Sequence, residues 1–279
     1  MKLISALLFF VLMFHTAVSF AEGQDSTYDR VLKSETIRCG YINYPPHFII
    51  DPVSGKKSGI SYDIMEEAAR VLGLKVEWAE ELGWGNTVEA LNSKRVDAVC
   101  TSFWQNPVEG KYVFFTEPMF YSAVGAYVDA ENTQINSDLS NVNDPSVRVS
   151  ASDGAISFYV AQQDFPKATI LSLPNMTDET QMLMEVDAGK ADIAFIETYL
   201  GEKFIKANPK SLKNLVPNNP VRLFGNTFAL PMDDVRFKSM LDSALVPMIQ
   251  GGLVDRIISK YEEVPGGIYR VAQPFEVKE

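Results

Sequence analysis

Cysteine and histidine are scarce in this chain of 279 residues, which contains two of each. Two cysteines and two histidines are too few for a zinc cluster of the Cys/His kind. Cys39 and Cys100 also lack the Cys-x-x-Cys spacing of redox and metal motifs. We therefore expect no metal and no other cofactor.

Basic residues are also few compared with acidic ones. Lys and Arg together number 25 and Asp and Glu 36, so that the formal net charge is −11. Proteins that bind nucleic acid or anionic membranes neutralise phosphates with an excess of basic side chains. The charge therefore argues against nucleic acid and against an anionic membrane as partners.

A hydrophobic run long enough to suggest targeting occurs at the N-terminus. Residues 3–18 are apolar apart from three polar positions, and Ser19-Phe20-Ala21 fits a small-x-small cleavage site. We interpret residues 1–21 as a signal peptide that is cut after Ala21. A membrane anchor is the alternative, but a span needs about 20 apolar residues, more than this run provides. We predict a protein exported to the periplasm, an oxidising compartment.

Short β-like runs alternate with helical patterns along the rest of the chain. Residues 36–41 predict a strand, 60–72 a helix and 75–79 a second strand, and the pattern begins again at 147–150. This alternation is typical of βαβ units around mainly parallel sheets. We predict an α/β fold with two lobes, each a mainly parallel sheet flanked by helices, and a ligand cleft between the lobes.

The two halves of the chain share a short phrase. Residues 91–98 (LNSKRVDA) and 186–193 (VDAGKADI) each combine a helix end, a turn, a basic residue and an Asp that opens a buried strand. We predict that the first lobe begins with residues 22–124, that the second lobe comprises 125–225, and that 226–279 return to the first lobe.

Several motifs follow one another in the order known from one protein family. They are Tyr44-Pro-Pro-His-Phe48, Gly59-Ile-Ser-Tyr-Asp-Ile64, Val96-Asp-Ala-Val99, Phe115-Thr-Glu-Pro118 and Gly189-Lys-Ala-Asp-Ile193. Through these motifs, from about residue 35 to 261, the chain resembles the extracytoplasmic solute-binding proteins of the polar amino-acid uptake family (family 3). These are two-lobed type II receptors of ABC importers.

This resemblance implies a mode of action. In the family, a ligand lies between two lobes that close by a hinge, and the closed form is presented to a membrane permease. The hinge strands would lie near residues 121–128 and 223–230. The implied partners are a small-molecule ligand and the permease of an ABC importer, and we expect the protein to be a monomer.

The chain departs from the family pattern at charged positions. Amino-acid binders of the family usually carry an arginine for the ligand carboxylate where this chain has Glu109. The family's threonine anchor falls on Asp153, and its ammonium-binding acid falls on Glu197. Three carboxylates would then face one cleft, and buried like charges need a compensating cation.

Aromatic residues near the predicted strand ends could complete a site for such a cation, because a cation is attracted to an aromatic face. We predict a cationic ligand: an amine, a polyamine, a guanidino compound, a quaternary amine or a basic amino acid. Phe103, and not its neighbour Trp104, is assigned to the cleft because adjacent residues of a strand point to opposite faces. The predicted ligand-binding residues are Tyr44, His47, Trp84, Ser102, Phe103, Asn106, Glu109, Asp153, Phe158 and Glu197.

Some alternatives stay open at this point. The family fold also occurs in dehydratases in which a cleft carboxyl group is the general acid, but those enzymes need a basic substrate anchor, so we expect no enzyme. A sensor module would use the same closure as a transport protein. Cys39 and Cys100 end strands that are neighbours in the family's first lobe, and either a disulfide or two buried thiols fits this position.

Overall fold

The structure, a computed structural model, describes residues 26–271. The signal peptide predicted for residues 1–21 lies outside the described residues. Within residues 26–271, every helix is too short or too polar to cross a bilayer.

The described chain alternates strands and helices as the sequence pattern predicts. Its strands are β1 Thr36–Tyr41, β2 Ile49–Ile50, β3 Lys57–Ser58, β4 Lys75–Glu81, β5 Ala98–Trp104, β6 Val113–Phe115, β7 Phe120–Asp129, β8 Arg148–Ser152, β9 Thr169–Leu173, β10 Ile193–Glu197, β11 Leu212–Asn214, β12 Arg222–Pro231 and β13 Tyr269–Arg270. Its α-helices are α1 Thr27–Ser34, α2 Ile60–Leu72, α3 Thr87–Asn92, α4 Ile156–Asp164, α5 Thr180–Asp187, α6 Thr198–Ala207, α7 Val235–Gln250 and α8 Leu253–Tyr261.

Helix α2 shows how the sequence determines an element. Ile60, Ile64 and Ala68 recur at helical spacing and are fully buried, so one face of the helix packs on the core. Gly73 follows in a left-handed conformation (φ 71°), which a residue without a Cβ adopts readily, and this ends the helix. The helix predicted from the periodicity is confirmed.

One curled sheet runs through both lobes in the order β4-β1-β5-β12-β7-β10-β8-β9. In the first lobe, β1 pairs in parallel with β4 and β5, and in the second lobe β8 pairs in parallel with β9 and β10. The long strands β7 and β12 pair antiparallel with each other and join the two halves. This is the predicted two-lobed α/β fold, whereas the exact lobe boundaries stay a prediction.

The burial of each strand follows its position in the sheet. All seven residues of β5 are buried, as expected for a central strand that is covered on both faces. Strand β4 forms one end of the order and alternates exposed with half-buried residues. A disulfide joins Cys39 of β1 to Cys100 of β5, with a Cα–Cα distance of 5.5 Å. The structure thus decides between the two states that the sequence left open.

Candidate ligand-binding cleft

A cleft of about 180 Å³ lies between the two lobes. Its described lining comprises six aromatic side chains (Tyr44, Trp84, Phe103, Trp104, Phe158, Tyr159), two carboxylates (Glu109, Glu179), two amides (Asn106, Gln162) and Val108, Gly154, Ala155 and Ile156. Sites for drug-sized molecules usually measure roughly 300–1,000 Å³. The cleft therefore suits a compact ligand.

Strand ends position this lining. Phe103 and Trp104 are the last two residues of β5, and Gly154 follows the end of β8. The carboxyl ends of parallel strands are where the loops of an open α/β sheet form a ligand crevice. The first residues of α4 then add the second-lobe wall.

Six of the ten predicted residues line the cleft: Tyr44, Trp84, Phe103, Asn106, Glu109 and Phe158. Trp104 lines it as well, although only Phe103 of this pair was assigned to the cleft from the sequence. Because the cleft lies at the end of β5, both terminal side chains of this strand reach it. The ring of Trp104 also stacks on Phe224 at a centroid distance of 5.0 Å.

Asp153 lies outside the cleft lining, contrary to the sequence prediction. Its side chain is on the exposed surface, where its carboxylate accepts a hydrogen bond from Ser172 Oγ at 2.6 Å. The next residue, Gly154, has φ 74°, and this turn presents backbone to the cleft. Asp153 is therefore not placed where a threonine-like ligand contact would require it.

His47, Ser102 and Glu197 were also predicted to contact the ligand, but they are fully buried and do not line the cleft. His47 Nδ1 lies 3.0 Å from Ser102 Oγ, and His47 Nε2 lies 3.0 Å from Glu197 Oε2. These three polar groups are hydrogen-bonded to one another in the interior of the protein.

Glu197 is the most densely bonded acid of this region. Tyr44 donates its hydroxyl hydrogen to Oε2 at 2.6 Å, and Ser122 donates to Oε1. Burial raises the pKa of Glu197, but the charge of His47 and the hydrogen bonds from His47, Ser122 and Tyr44 outweigh it and hold the pKa below its ordinary value. Glu197 is therefore a carboxylate with its charge compensated inside the protein.

Glu109 is one of the two carboxylates that line the cleft. It is half-buried at the start of a short 3₁₀ turn, and the Asn106 side-chain amide donates a hydrogen bond to it. Burial raises the pKa of Glu109, and the bond from Asn106 offsets part of this effect.

Glu179 is a second cleft carboxylate, which the sequence analysis missed. The pattern there predicts a helix over 178–188 with Thr177 as its cap, whereas α5 begins at Thr180 and leaves Glu179 in the preceding turn. Burial raises the pKa of Glu179 to about 8, although a hydrogen bond with Trp84 opposes this. Only the approach of the other lobe reveals the role of this position, so no local sequence signal marks it.

The electrostatic character of the cleft follows from these two acids. The described lining includes Glu109 and Glu179 but no Lys or Arg. Burial opposes the charged form of both carboxylates, so a cation between them would relieve an unfavourable state. Residues 26–271 contain no group of three His, Cys, Asp or Glu side chains arranged to hold a metal ion.

The lobes touch each other beside the cleft. A Cβ atom on Gly154 would lie 2.6 Å from Gly85 Cα, so the backbones of the two lobes are in direct contact there. We call this arrangement, with the Gly85–Gly154 contact and the His47–Glu197 contact formed, the closed form.

Known proteins share both the sequence pattern and the fold. Over 219 residues the chain is 24% identical to the L-cystine-binding protein TcyA of Bacillus subtilis (strain 168), covering 78% of this chain and 77% of that protein. Over 94 residues it is 34% identical to a probable amino-acid ABC transporter-binding protein of Haemophilus influenzae, covering 34% of this chain and only 36% of that protein.

Solved structures with low sequence identity share the fold. The cysteine-binding protein of Campylobacter jejuni has a TM-score of 0.74 at 17% identity, covering 89% of this chain and all of that one. An ancestral amino acid-binding protein, AncCDT-1, a precursor of cyclohexadienyl dehydratase, has a TM-score of 0.73 at 24% identity, covering 86% and 100%.

The sequence pattern that defines a whole family matches residues 37–264, which is most of the chain. The matched segment contains β1 to β12 and α2 to α8, and therefore both lobes and the cleft between them. The chain belongs to the bacterial extracellular solute-binding proteins, family 3.

Proposed function

We propose that this protein is the periplasmic substrate-binding component of an ABC importer and that it closes on a compact organic cation. One observation carries the choice of ligand: Glu109 and Glu179 share an aromatic cleft whose described lining has no Lys or Arg. The names of the relatives, which are amino-acid and ABC-transporter binding proteins, support the transport role and a membrane permease as partner.

A cation is attracted both by the carboxylates and by the aromatic rings that line this cleft. A charge 4 Å from a carboxylate interacts with it by about 4 kcal/mol at an effective dielectric constant near 20. An aromatic face adds about 0.5–2 kcal/mol, depending on how much water is removed. Tyr44, Trp84 and Phe158 offer such faces. This interaction free energy exceeds the interaction free energy that a neutral solute of the same size could obtain from these groups.

A neutral amino acid fits this cleft poorly. Its carboxylate is best held by an Arg fork that forms two parallel hydrogen bonds, and the family position for that fork holds Glu109. We therefore favour a ligand with net positive charge: an amine, polyamine, guanidino compound or quaternary amine, or a basic amino acid. Two similar structures, an arginine-binding protein of T. maritima and Tv2483 bound to L-arginine, support including arginine.

Calorimetric titration tests the proposal. The panel comprises putrescine, choline, guanidine, L-arginine and, as neutral zwitterions, L-glutamine and L-cystine. We expect binding of at least one cation and a loss of at least tenfold in its affinity in Glu109→Gln and in Glu179→Gln. Asp153→Asn is the matched control, since it removes an acid outside the cleft. Binding of a neutral zwitterion with no binding of any cation would overturn the cationic ligand.

Two other functions, catalysis and sensing, are each supported by an observation. AncCDT-1 is named as a precursor of a dehydratase, and the raised pKa of Glu179, about 8, would suit a general acid. A histidine kinase sensor domain also shares the fold, with a TM-score of 0.70 at 20% identity.

Mass spectrometry of the bound ligand after incubation distinguishes turnover from binding. Neighbouring permease and ATPase genes favour import, whereas a receptor kinase gene favours sensing.

A further inference from the structure

His47 is enclosed on every side although it belongs to a loop. Its ring stacks on Tyr44 at a centroid distance of 4.9 Å and on Phe120 at 5.5 Å. Both ring nitrogens are occupied, Nδ1 by Ser102 Oγ at 3.0 Å and Nε2 by Glu197 at 3.0 Å. No nitrogen of His47 is left for a ligand, so a direct contact with the ligand does not explain this residue.

The contact between His47 and Glu197 joins the two lobes. Glu197 is the last residue of β10 in the second lobe, whereas His47 lies in the loop after β1 in the first lobe, 150 positions earlier. Tyr44, from the same loop as His47, donates to Glu197 at 2.6 Å. These hydrogen bonds therefore connect the two lobes in the closed form.

The same network reaches two aromatic residues of the cleft lining. Tyr44 lines the cleft with its ring while its hydroxyl group binds Glu197. On the other side, Ser122 donates to Glu197 and accepts from Asn226 Nδ2 at 2.9 Å. Asn226 Oδ1 in turn accepts from the indole nitrogen of Trp104, a cleft residue, at 2.7 Å. The buried pair therefore connects closure of the lobes to the placement of two aromatic rings.

We infer that His47 is a positioning residue: with Glu197 it forms a buried interlobe latch that stabilises the closed form and orients Tyr44 and Trp104 in the cleft. A fully buried carboxylate needs a partner, and removing one member of a buried pair is far more costly than removing an exposed one. His47 supplies that partner from the opposite lobe. The inference rests on the proposed function only in its affinity measurement.

Small-angle X-ray scattering of the ligand-free protein tests the latch directly. We expect the wild type to have the radius of gyration of the closed form, and His47→Gln and Glu197→Gln to have larger values. The double variant His47→Gln/Glu197→Gln removes both members of the buried pair together, so that neither is left without its partner, and it tests the latch even if a single variant does not fold. Lys203→Gln, which breaks an exposed ion pair with Glu263, is the control.

Affinity and tryptophan fluorescence provide a second readout. For the cation of the panel that binds wild type, His47→Gln should lower the affinity at least tenfold, and the emission of the Trp84 and Trp104 pair should change even without ligand. A wild type that is already open without ligand overturns the latch. A folded double variant with the scattering and affinity of wild type also overturns the latch. Variants whose only change is a lower Tm overturn it as well.

The outcomes separate the latch from the proposed function. If no cation binds the wild type and the variants still open, the cationic ligand is wrong and the latch stands. If cations bind the wild type and the variants remain closed, the latch is wrong and the proposed function stands.

Discussion

Two carboxylates share the cleft but differ in their partners. Glu109 accepts a hydrogen bond from Asn106 in its own loop, while Glu179 meets Trp84, which comes from the other lobe. The pKa of Glu179 is raised to about 8, so near neutral pH this residue carries a proton in the ligand-free protein. At the scale of single residues, the charge of the site is therefore set by pH and by the ligand together.

The first prediction concerns the pH dependence of Glu179. Its folded-state pKa, about 8, lies above its ordinary value of 4.5, so this group favours the folded ligand-free protein below pH 4.5 and loses that effect as pH rises through 8. A cation that does not titrate, such as choline, should bind roughly tenfold more tightly at pH 9 than at pH 6.5, because the carboxylate is then charged.

Calorimetry at several pH values checks this prediction. Glu179→Gln should remove most of the pH dependence of choline affinity and flatten the decrease of Tm between pH 6.5 and 9. Asp153→Asn should keep the wild-type profile. A profile that is unchanged in Glu179→Gln would contradict the assignment.

The loop between β8 and α4 shows what an element contributes. Gly154 adopts φ 74° and touches the first lobe, where an added Cβ would lie 2.6 Å from the Cα and N atoms of Gly85. Gly189, in the same lobe, has a similar φ of 69° but open space around its missing Cβ. A side chain at either glycine would strain the backbone because φ is positive. Only at Gly154 would the added Cβ also meet the backbone of the other lobe.

The second prediction uses this pair of glycines. Both Gly154→Ala and Gly189→Ala should lower the free energy of unfolding by about 1 kcal/mol, because a Cβ is unfavourable at positive φ. Only Gly154→Ala should also prevent full closure, since backbone atoms of Gly85 cannot move aside as a flexible side chain can. Ligand affinity measured by calorimetry should fall at least tenfold in Gly154→Ala and stay near wild type in Gly189→Ala. Equal affinities would contradict the closure contact.

The third prediction concerns the disulfide between β1 and β5. It closes a loop with a sequence separation of 61, for which the chain-entropy account gives about 4 kcal/mol of stabilisation. Cys39→Ala/Cys100→Ala should therefore lower the free energy of unfolding by about 4 kcal/mol in denaturant titrations, while the fold is retained. Wild type with a reductant should approach the variant, and a variant as stable as the oxidised wild type would contradict the prediction.

At the scale of the whole molecule, β7 and β12 carry both lobes on one sheet. The two strands connect the lobes. They pair antiparallel through hydrogen bonds, from Arg222 opposite Val124 to Asn226 opposite Phe120. The formal net charge of −11 also belongs to this scale. A negative molecule attracts a cation before the cleft contacts form.

The fourth prediction follows from the net charge. The association rate of a cationic ligand should fall by up to about tenfold as the salt concentration rises from 0.01 to 0.3 M, because the screening length shortens from about 30 Å to less than 10 Å. Stopped-flow tryptophan fluorescence can measure this rate, since Trp84 and Trp104 line the cleft. A neutral solute that binds should show no such trend, and a cation rate that does not depend on salt would contradict the prediction.

Much of the fold can be predicted from patterns of residues that are close together in the sequence. The periodicity at Ile60, Ile64 and Ala68 predicts α2, because the buried face of a helix follows the 3.6-residue period. Four of the six aromatic side chains that line the cleft, Tyr44, Trp84, Phe103 and Phe158, were also named from the sequence, whereas Trp104 and Tyr159 were not. Helix α5 was placed too early at its start, because the residues before Thr180 allow either a turn or a helix.

The sequence by itself determined the family, the two-lobed α/β architecture and most of the aromatic wall, since these depend on motifs and on the periods of neighbouring residues. Only the tertiary structure decided which acids face the ligand. Glu179 meets Trp84 across the lobes, Asp153 binds Ser172 on the surface, and Glu197 pairs with His47 from 150 positions away. The direction of a side chain depends on partners that are distant in the chain. Folding within a lobe brings Ser172 to Asp153, and the approach of the two lobes brings Trp84 to Glu179 and His47 to Glu197.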